Sequence, residues 1–185
     1  MSEADPNPPL RHIVHDVTEI PDGGLKVAWK ASPEERAVLA QELDVLEIEA
    51  VSTLYEIKRK GRARQGGSRY ELTGQIKFRL TQACVVSLEP ITQLIEETIE
   101  EEFRPEEDIE PRGEDESEVL SVNDPEPFVD GKLEVGRLIF EYLSSAIDPF
   151  PRKDGESLEW QDRQDPADVA AQNPFAELAK LKNKN

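Results

Sequence analysis

The stretch RYELTGQIKFRLTQA, residues 69–83, decides the fold of this 185-residue chain. Its large apolar side chains all fall on even positions, at Tyr70, Leu72, Ile76, Phe78 and Leu80. A period of two is typical of a strand that turns one face toward a core and the other toward water. Gly74 interrupts the pattern, and we interpret it as a β-bulge.

Five further stretches predict strands, because β-branched and apolar residues dominate or alternate in them. They are residues 10–20, 25–29, 45–58, 84–88 and 91–103. The last of these also fits a helix, and we favour the strand because its neighbours are strands. The turn residues at 21–24 (PDGG) and at Pro90 separate these stretches.

Two segments predict helices. Ser32-Pro33-Glu34-Glu35 combines a capping serine, a proline at the first helical position and a glutamate that completes a capping box. Residues 133–147 carry a wide apolar face, and prolines at 149 and 151 end that helix. The predicted fold class is therefore α+β, a curved antiparallel sheet of about six strands with two main helices.

Composition separates a compact body from polar extensions. Hydrophobic residues make up 37% of the chain and charged residues 34%, which predicts a single domain over residues 10–151. Within it, residues 104–127 hold ten acids and two arginines and predict a mobile acidic loop. Residues 1–9 predict a disordered N-terminus, residues 152–172 a polar linker, and residues 173–185 a short C-terminal helix.

The charge and cysteine content exclude several function classes. The net charge of −18 repels nucleic acid at long range, so RNA contact requires a local basic patch or a protein intermediary. A single cysteine, Cys84, far in sequence from His12 and His15, predicts no disulfide and no metal site. Without a nucleophile–base pair or a phosphate loop, we expect neither enzymatic activity nor a cofactor. The absence of a signal sequence and of a membrane-length apolar run predicts a cytoplasmic protein.

Residues 58–69 (KRKGRARQGGSR) break the acidic pattern. This basic segment contains no acid, and its glycines at 61, 66 and 67 predict a hairpin tip. Cations on such a tip can contact RNA phosphates, although a solvated tip that offsets local acidity is the alternative. The candidate RNA-binding residues are Lys58, Arg59, Lys60, Arg62, Arg64 and Arg69.

Other features are candidates for partner binding. The C-terminal stripe of Phe175, Leu178 and Leu181 can engage a groove on a partner, or pack on its own domain. Glu89-Pro90 is a recognition corner or a simple turn. The acidic loop 104–127 can mimic nucleic acid or dock a basic protein, or it can solubilise the chain. We expect Cys84 to be a buried residue rather than a reactive thiol.

Seven short motifs follow one another in a distinctive order. They are ERAVLA at 35–40, the strand through Thr73-Gly74, TQACVVSLEP at 81–90, DPEP at 124–127, EVGRLIFEYL at 134–143, DPFPR at 148–152 and NPFA at 173–176. Their order and spacing resemble the YceD family of large ribosomal RNA subunit accumulation proteins, in its alphaproteobacterial form. Many relatives carry a second cysteine where this chain has Ser87, which argues against a metal or redox role here.

The resemblance implies a non-enzymatic bacterial protein that supports accumulation or processing of large-subunit (23S) ribosomal RNA. Its expected partner is that RNA or a large-subunit ribosomal protein, bound through the basic segment and the C-terminal helix, with no membrane and no DNA partner. The alternative function is an acidic adaptor or chaperone for a basic client, without direct RNA contact.

Overall fold

Three strands of sixteen residues each form the centre of the molecule. The computed structural model describes residues 9–62, 68–109 and 125–155. The strands are β1 (His15–Asp16), β2 (Leu25–Lys30), β3 (Glu47–Arg62), β4 (Ser68–Ala83), β5 (Pro90–Pro105), β6 (Glu126–Phe128) and β7 (Lys132–Leu133). The helices are α1 (Pro33–Glu42) and α2 (Val135–Ala146).

The main sheet has the strand order β2-β3-β4-β5-β6 and does not close into a barrel. Adjacent strands of this sheet are antiparallel, except that β5 and β6 form a short parallel pair. Strands β1 and β7 form a separate two-stranded sheet. The α+β prediction is confirmed, and so is the choice of a strand rather than a helix for residues 91–103.

The even positions of β4 carry the core, as the period of two predicts. Its five large apolar side chains, from Tyr70 to Leu80, are at most 2% exposed. Neighbouring strands add Tyr55 and Ile99 on the same face, and Leu138 and Leu143 of α2 are buried in the same cluster. Burying apolar surface stabilises a fold by about 25 cal/mol per Å², so this one-sided core is the main source of stability.

Gly74 has a different role from the predicted bulge. It pairs with Tyr55 in continuous register, and the bulges of β3 lie instead between Ile48 and Ala50 and between Arg59 and Gly61. A Cβ atom on Gly74 would lie 2.6 Å from the Cβ of Tyr55. Glycine is therefore required because the tyrosine packs directly against the backbone of the neighbouring strand.

Residues 10–20 do not form the predicted strand. Only His15 and Asp16 pair in β1, and a 3-10 helix follows at Val17–Glu19. Leu10, Ile13 and Ile20 of this segment are nevertheless buried, whereas Val14 is 37% exposed. Leu10 and Ile13 are buried because they pack against the start of α2. Gly136 donates its N–H to the carbonyl of Ile13 at 2.9 Å, and the carbonyl oxygen of Leu10 occupies the space that a Cβ on Gly136 would need.

Both helices begin and end near the predicted positions. Ser32 Oγ accepts the Glu35 N–H at 3.2 Å while Glu35 Oε2 accepts the Ser32 N–H at 2.6 Å, which is the predicted capping box. Helix α2 ends at Ala146, before Asp148 and Pro149, since proline cannot continue a helix.

The ends of the predicted acidic loop belong to regular structure. Arg104 and Pro105 complete β5, a 3-10 helix follows at Glu106–Asp108, and Glu126 and Pro127 begin β6. Residues 110–124 lie outside the described residues. So do residues 1–8, most of the predicted linker 152–172 and the whole predicted helix at 173–185.

Replacing Gly74 with alanine should destabilise the protein. The new methyl group would overlap Tyr55 and the Leu54 carbonyl oxygen, so we expect the free energy of unfolding to fall by about 1–3 kcal/mol. Urea unfolding followed by circular dichroism measures this. Gly23→Ala is the matched control, because nothing lies within 4 Å of a Cβ there. Equal effects of the two substitutions would contradict the proposed role of Gly74.

His15 should make stability depend on pH. Its Nε2 lies 2.7 Å from the Tyr55 hydroxyl, and burial lowers the pKa of His15, with Glu19 acting in the opposite direction. The unfolded chain protonates His15 more readily than the folded protein does. The stability that neutral His15 contributes is therefore fully present above about pH 6.5 and is lost as pH falls through the folded-state pKa of His15. Urea unfolding at about pH 7.5 and about pH 5.5 should show a smaller loss for His15→Gln than for wild type. Equal losses would be inconsistent with this assignment.

Candidate interaction surfaces

The described residues of the basic segment, 58–62 and 68–69, lie where β3 ends and β4 begins. The two strands pair from Glu47 opposite Thr81 to Arg62 opposite Ser68, so the hairpin runs the full length of β3 and nearly all of β4. The bulge between Arg59 and Gly61 leaves Lys60 as the extra residue. Gly61 has φ +113°, a conformation that suits glycine and that turns the strand near its end.

The described cations of this segment face carboxylates. Lys58 lies 2.7 Å from Glu56, and its hydrogen bond lowers the pKa of that glutamate. Lys60 lies 2.7 Å from Glu71. The other two pairs are longer, with Arg59 3.9 Å from Asp22 and Arg69 3.8 Å from Glu102. All four cationic side chains are between 36% and 49% exposed, so these are surface ion pairs.

Two of the six candidate RNA-binding residues cannot be placed. Arg62 ends β3, but its side chain lies outside the described part of the structure, as does the whole of Arg64. The partner-binding stripe of Phe175, Leu178 and Leu181 is also outside it. Contact of these side chains with RNA or protein stays a prediction.

Residues 84–88 form a tight turn, not the predicted strand. The carbonyl of Cys84 accepts the Leu88 N–H at 2.9 Å, and the Cys84 N–H is donated to the Glu89 carbonyl at 2.8 Å. The Cys84 Sγ lies 3.4 Å from the Val86 nitrogen and 3.5 Å from the Ser87 nitrogen, and accepts from both. The cysteine is buried, and its sulfur stabilises the turn by accepting the N–H groups of Val86 and Ser87. The strand prediction had instead assigned these N–H groups to a sheet.

This turn is joined to the segment that follows α2. The Val85 N–H is donated to the Pro151 carbonyl at 2.9 Å, and Gln82 Nε2 donates to the Asp148 carbonyl at 3.0 Å. The side chains of Glu89 and Lys153 form an ion pair across the same junction. We name residues 84–90 and 148–153 together the corner; it unites two of the sequence motifs, TQACVVSLEP and DPFPR.

The corner exposes apolar side chains to solvent. Leu88 is 76% exposed, Phe150 69% and Val85 44%. Leu88 also has φ +62°, a left-handed conformation that is strained for leucine. An exposed and strained apolar residue suits an interaction site. The sequence pointed to Glu89-Pro90 here but missed Leu88, Phe150 and Lys153. The available signals were the TQACVVSLEP motif for Leu88 and the DPFPR motif for Phe150, whereas Lys153 lies outside both motifs.

The described residues contain no cluster of three or more His, Cys, Asp or Glu that would hold a metal ion. The described helices also include none long and apolar enough to cross a membrane.

A comparison of the sequence with models of known protein families gave a match. The model described as large ribosomal RNA subunit accumulation protein YceD matches residues 72–182. The chain belongs to the YceD family. Searches of curated proteins and of solved structures gave no match. The YceD match includes the whole corner, most of β4, and β5 and α2, whereas the six cations of the basic segment 58–69 precede its first residue.

Leu88→Asn should stabilise this YceD protein. Asparagine adopts the left-handed conformation with less strain, and little apolar burial is lost because Leu88 is mostly exposed. We expect the free energy of unfolding to rise by about 1 kcal/mol, measured by urea unfolding. Val85→Asn, at an ordinary backbone position of the same turn, is the control and should not stabilise. A loss of stability in Leu88→Asn would show that the side chain is held by packing instead.

Proposed function

We propose that the protein is a non-enzymatic ribosome-biogenesis factor of the bacterial cytoplasm, and that it supports accumulation of 23S ribosomal RNA by contacting RNA phosphates with the end of the β3–β4 hairpin. The family description supports the role in large-subunit RNA accumulation. The observation that carries the contact is the concentration of six cations in residues 58–69, the segment in which β3 ends and β4 begins, in a chain of net charge −18.

The ion pairs of the hairpin do not prevent such contact. An exposed ion pair contributes only about 0–1 kcal/mol, since solvent screens it and both side chains lose freedom in forming it. A phosphate group can replace the carboxylate and gains further from the release of condensed counterions. The arginine side chains suit this exchange because their planar guanidinium groups donate two parallel hydrogen bonds to phosphate oxygens.

The acidic remainder of the protein limits where RNA can bind. Away from the hairpin end, cations of the sheet face opposite the core such as Lys77 and Arg79 lie close to Glu96 and Glu49. The net negative field repels RNA that approaches in other orientations. Binding is therefore confined to the hairpin and is expected to weaken steeply as salt rises.

A second candidate function is an acidic adaptor or chaperone that holds a basic client without touching RNA. The observation that favours it is the position of acids next to each described cation of the hairpin. The C-terminal stripe of Phe175, Leu178 and Leu181, which lies within the matched range of the family, would anchor a large-subunit protein under either function.

Neutralising the hairpin should weaken RNA binding selectively. In Arg59→Gln/Lys60→Gln/Arg62→Gln/Arg64→Gln, loss of up to four phosphate contacts should reduce affinity for 23S ribosomal RNA fragments at least about tenfold at about 100 mM salt. The slope of log affinity against log salt should become shallower by about 3. Filter binding at several salt concentrations measures both quantities.

The matched control removes four cations from the outward face of the sheet, in Lys26→Gln/Lys30→Gln/Lys77→Gln/Arg79→Gln. It changes the net charge equally and should cost less than about threefold in affinity. Equal losses in the two variants would contradict a specific hairpin contact. Wild-type binding no stronger than that of a charge-matched unrelated protein would favour the adaptor function.

A further inference from the structure

Among the described residues, no strand covers one edge of β5 over most of its length. It pairs with β4 from Pro90 to Phe103, whereas β6 reaches only Phe103–Pro105 on the other side. Between Ile91 and Glu102, the described part of the chain therefore offers β5 no second strand. An uncovered edge presents a row of N–H and C=O groups that can pair with another extended chain.

The register shows which backbone groups point outward. The N–H of Glu100 faces away from β4, since it lies 3.5 Å from the Tyr142 hydroxyl of α2. Backbone direction alternates along an antiparallel strand. The N–H and C=O groups of Thr92, Leu94, Glu96 and Thr98 therefore also point away from β4, as those of Glu100 do. Tyr142 is fixed at the end of this row by a 2.8 Å hydrogen bond to Glu101, and burial followed by this bond raises the pKa of Tyr142 to about 12.

Acidic side chains flank this edge on both faces of the sheet. Five of the seven residues from 96 to 102 are glutamates. The side chains of Glu96 and Glu100 lie on the face of the sheet opposite the core, with those of Thr92 and Thr98. The side chain of Glu97 lies on the core face, with that of Ile99. Leu94, 58% exposed, is the apolar contact next to them.

This arrangement selects against a second copy paired through the same edge. Two β5 strands side by side would bring the glutamates of both copies into one small region, and like charges on adjacent strands destabilise pairing. The same glutamates attract lysine and arginine side chains, which a bound strand would place alternately above and below the sheet.

We propose that the edge of β5 from Thr92 to Thr98 is a docking site for an extended, Lys/Arg-rich peptide segment of a partner protein. The peptide adds a strand to the sheet. Its backbone pairs with the four residues whose N–H groups point away from β4, and its cations contact Glu97 on one face and Glu100 on the other, since Glu96 already pairs with Lys77 at 2.8 Å. This site lies outside the basic segment and requires none of its cations, so it goes beyond the proposed RNA contact.

The test uses the full chain and three synthetic eight-residue peptides labelled with a fluorophore. The probe alternates lysine and valine. One control alternates lysine and proline, which keeps the charge but cannot form the ladder, and the other alternates glutamate and valine. Fluorescence anisotropy should give the probe an affinity at least about tenfold higher than that of either control.

Two variant pairs separate backbone pairing from charge. Thr98→Pro removes one outward N–H without altering any charge and should weaken probe binding about tenfold. Its control is Ala28→Pro on β2, at the opposite edge of the sheet. The Ala31 N–H donates to the Val51 carbonyl of β3 at 3.0 Å, so the N–H of Ala28, three residues earlier, points away from β3. Glu97→Gln/Glu100→Gln should weaken binding about fivefold, and Glu42→Gln/Glu47→Gln, at exposed sites elsewhere, should not.

Hydrogen exchange on the wild-type protein keeps the test decisive if Thr98→Pro unfolds. Adding the probe should slow amide exchange at Thr92, Leu94, Glu96 and Thr98, and the hairpin variant used for RNA should bind the probe as well as wild type. Four outcomes would overturn the proposal: equal binding of the lysine–proline peptide, equal effects of Thr98→Pro and Ala28→Pro, protection of these amides by an RNA oligonucleotide instead of the probe, or sedimentation showing that copies of the chain cover this edge.

Discussion

The packing of Tyr55 against Gly74 holds the three long strands in one register. The tyrosine occupies space that a side chain would otherwise fill, and its hydroxyl contacts His15 from outside the main sheet. A slip of one residue between β3 and β4 would place Tyr55 opposite Thr73 or Gln75 and turn the apolar positions of β4 toward water. The placement of the hairpin end, the corner and the β5 edge all depend on this alignment, because each is a feature of these strands or of their connections.

Local signals in the sequence predicted the elements whose interactions are local. The alternation of β4 and the capping box of α1 concern neighbouring residues, and both are present as expected. The failures are segments whose partners are distant in sequence. Residues 10–20 alternate like a strand but pack against α2, and residues 84–88 contain β-branched residues but turn because Val85 bonds to Pro151. A pattern within one segment does not contain its distant partner.

The same distinction applies to the interaction surfaces. The cations of the hairpin are contiguous, so the sequence identified them, but the acids that face them come from Asp22 and Glu102 as well as from neighbouring residues. Glu89 was identified while its partner Lys153, 64 residues away, was not. The uncovered edge of β5 also escaped prediction, because edge position is a property of the sheet order and not of the strand.

The contact between the N-terminal segment and α2 has a consequence for the order of events during synthesis. Strands β2 to β5 are consecutive neighbours, so each can pair soon after it leaves the ribosome. Leu10 and Ile13 instead wait for Gly136, which is made about 120 residues later, or on the order of ten seconds at ordinary elongation rates. Leu10 and Ile13 thus emerge before the long strands but are buried after them, and the long loop that they close with α2 forms late in synthesis.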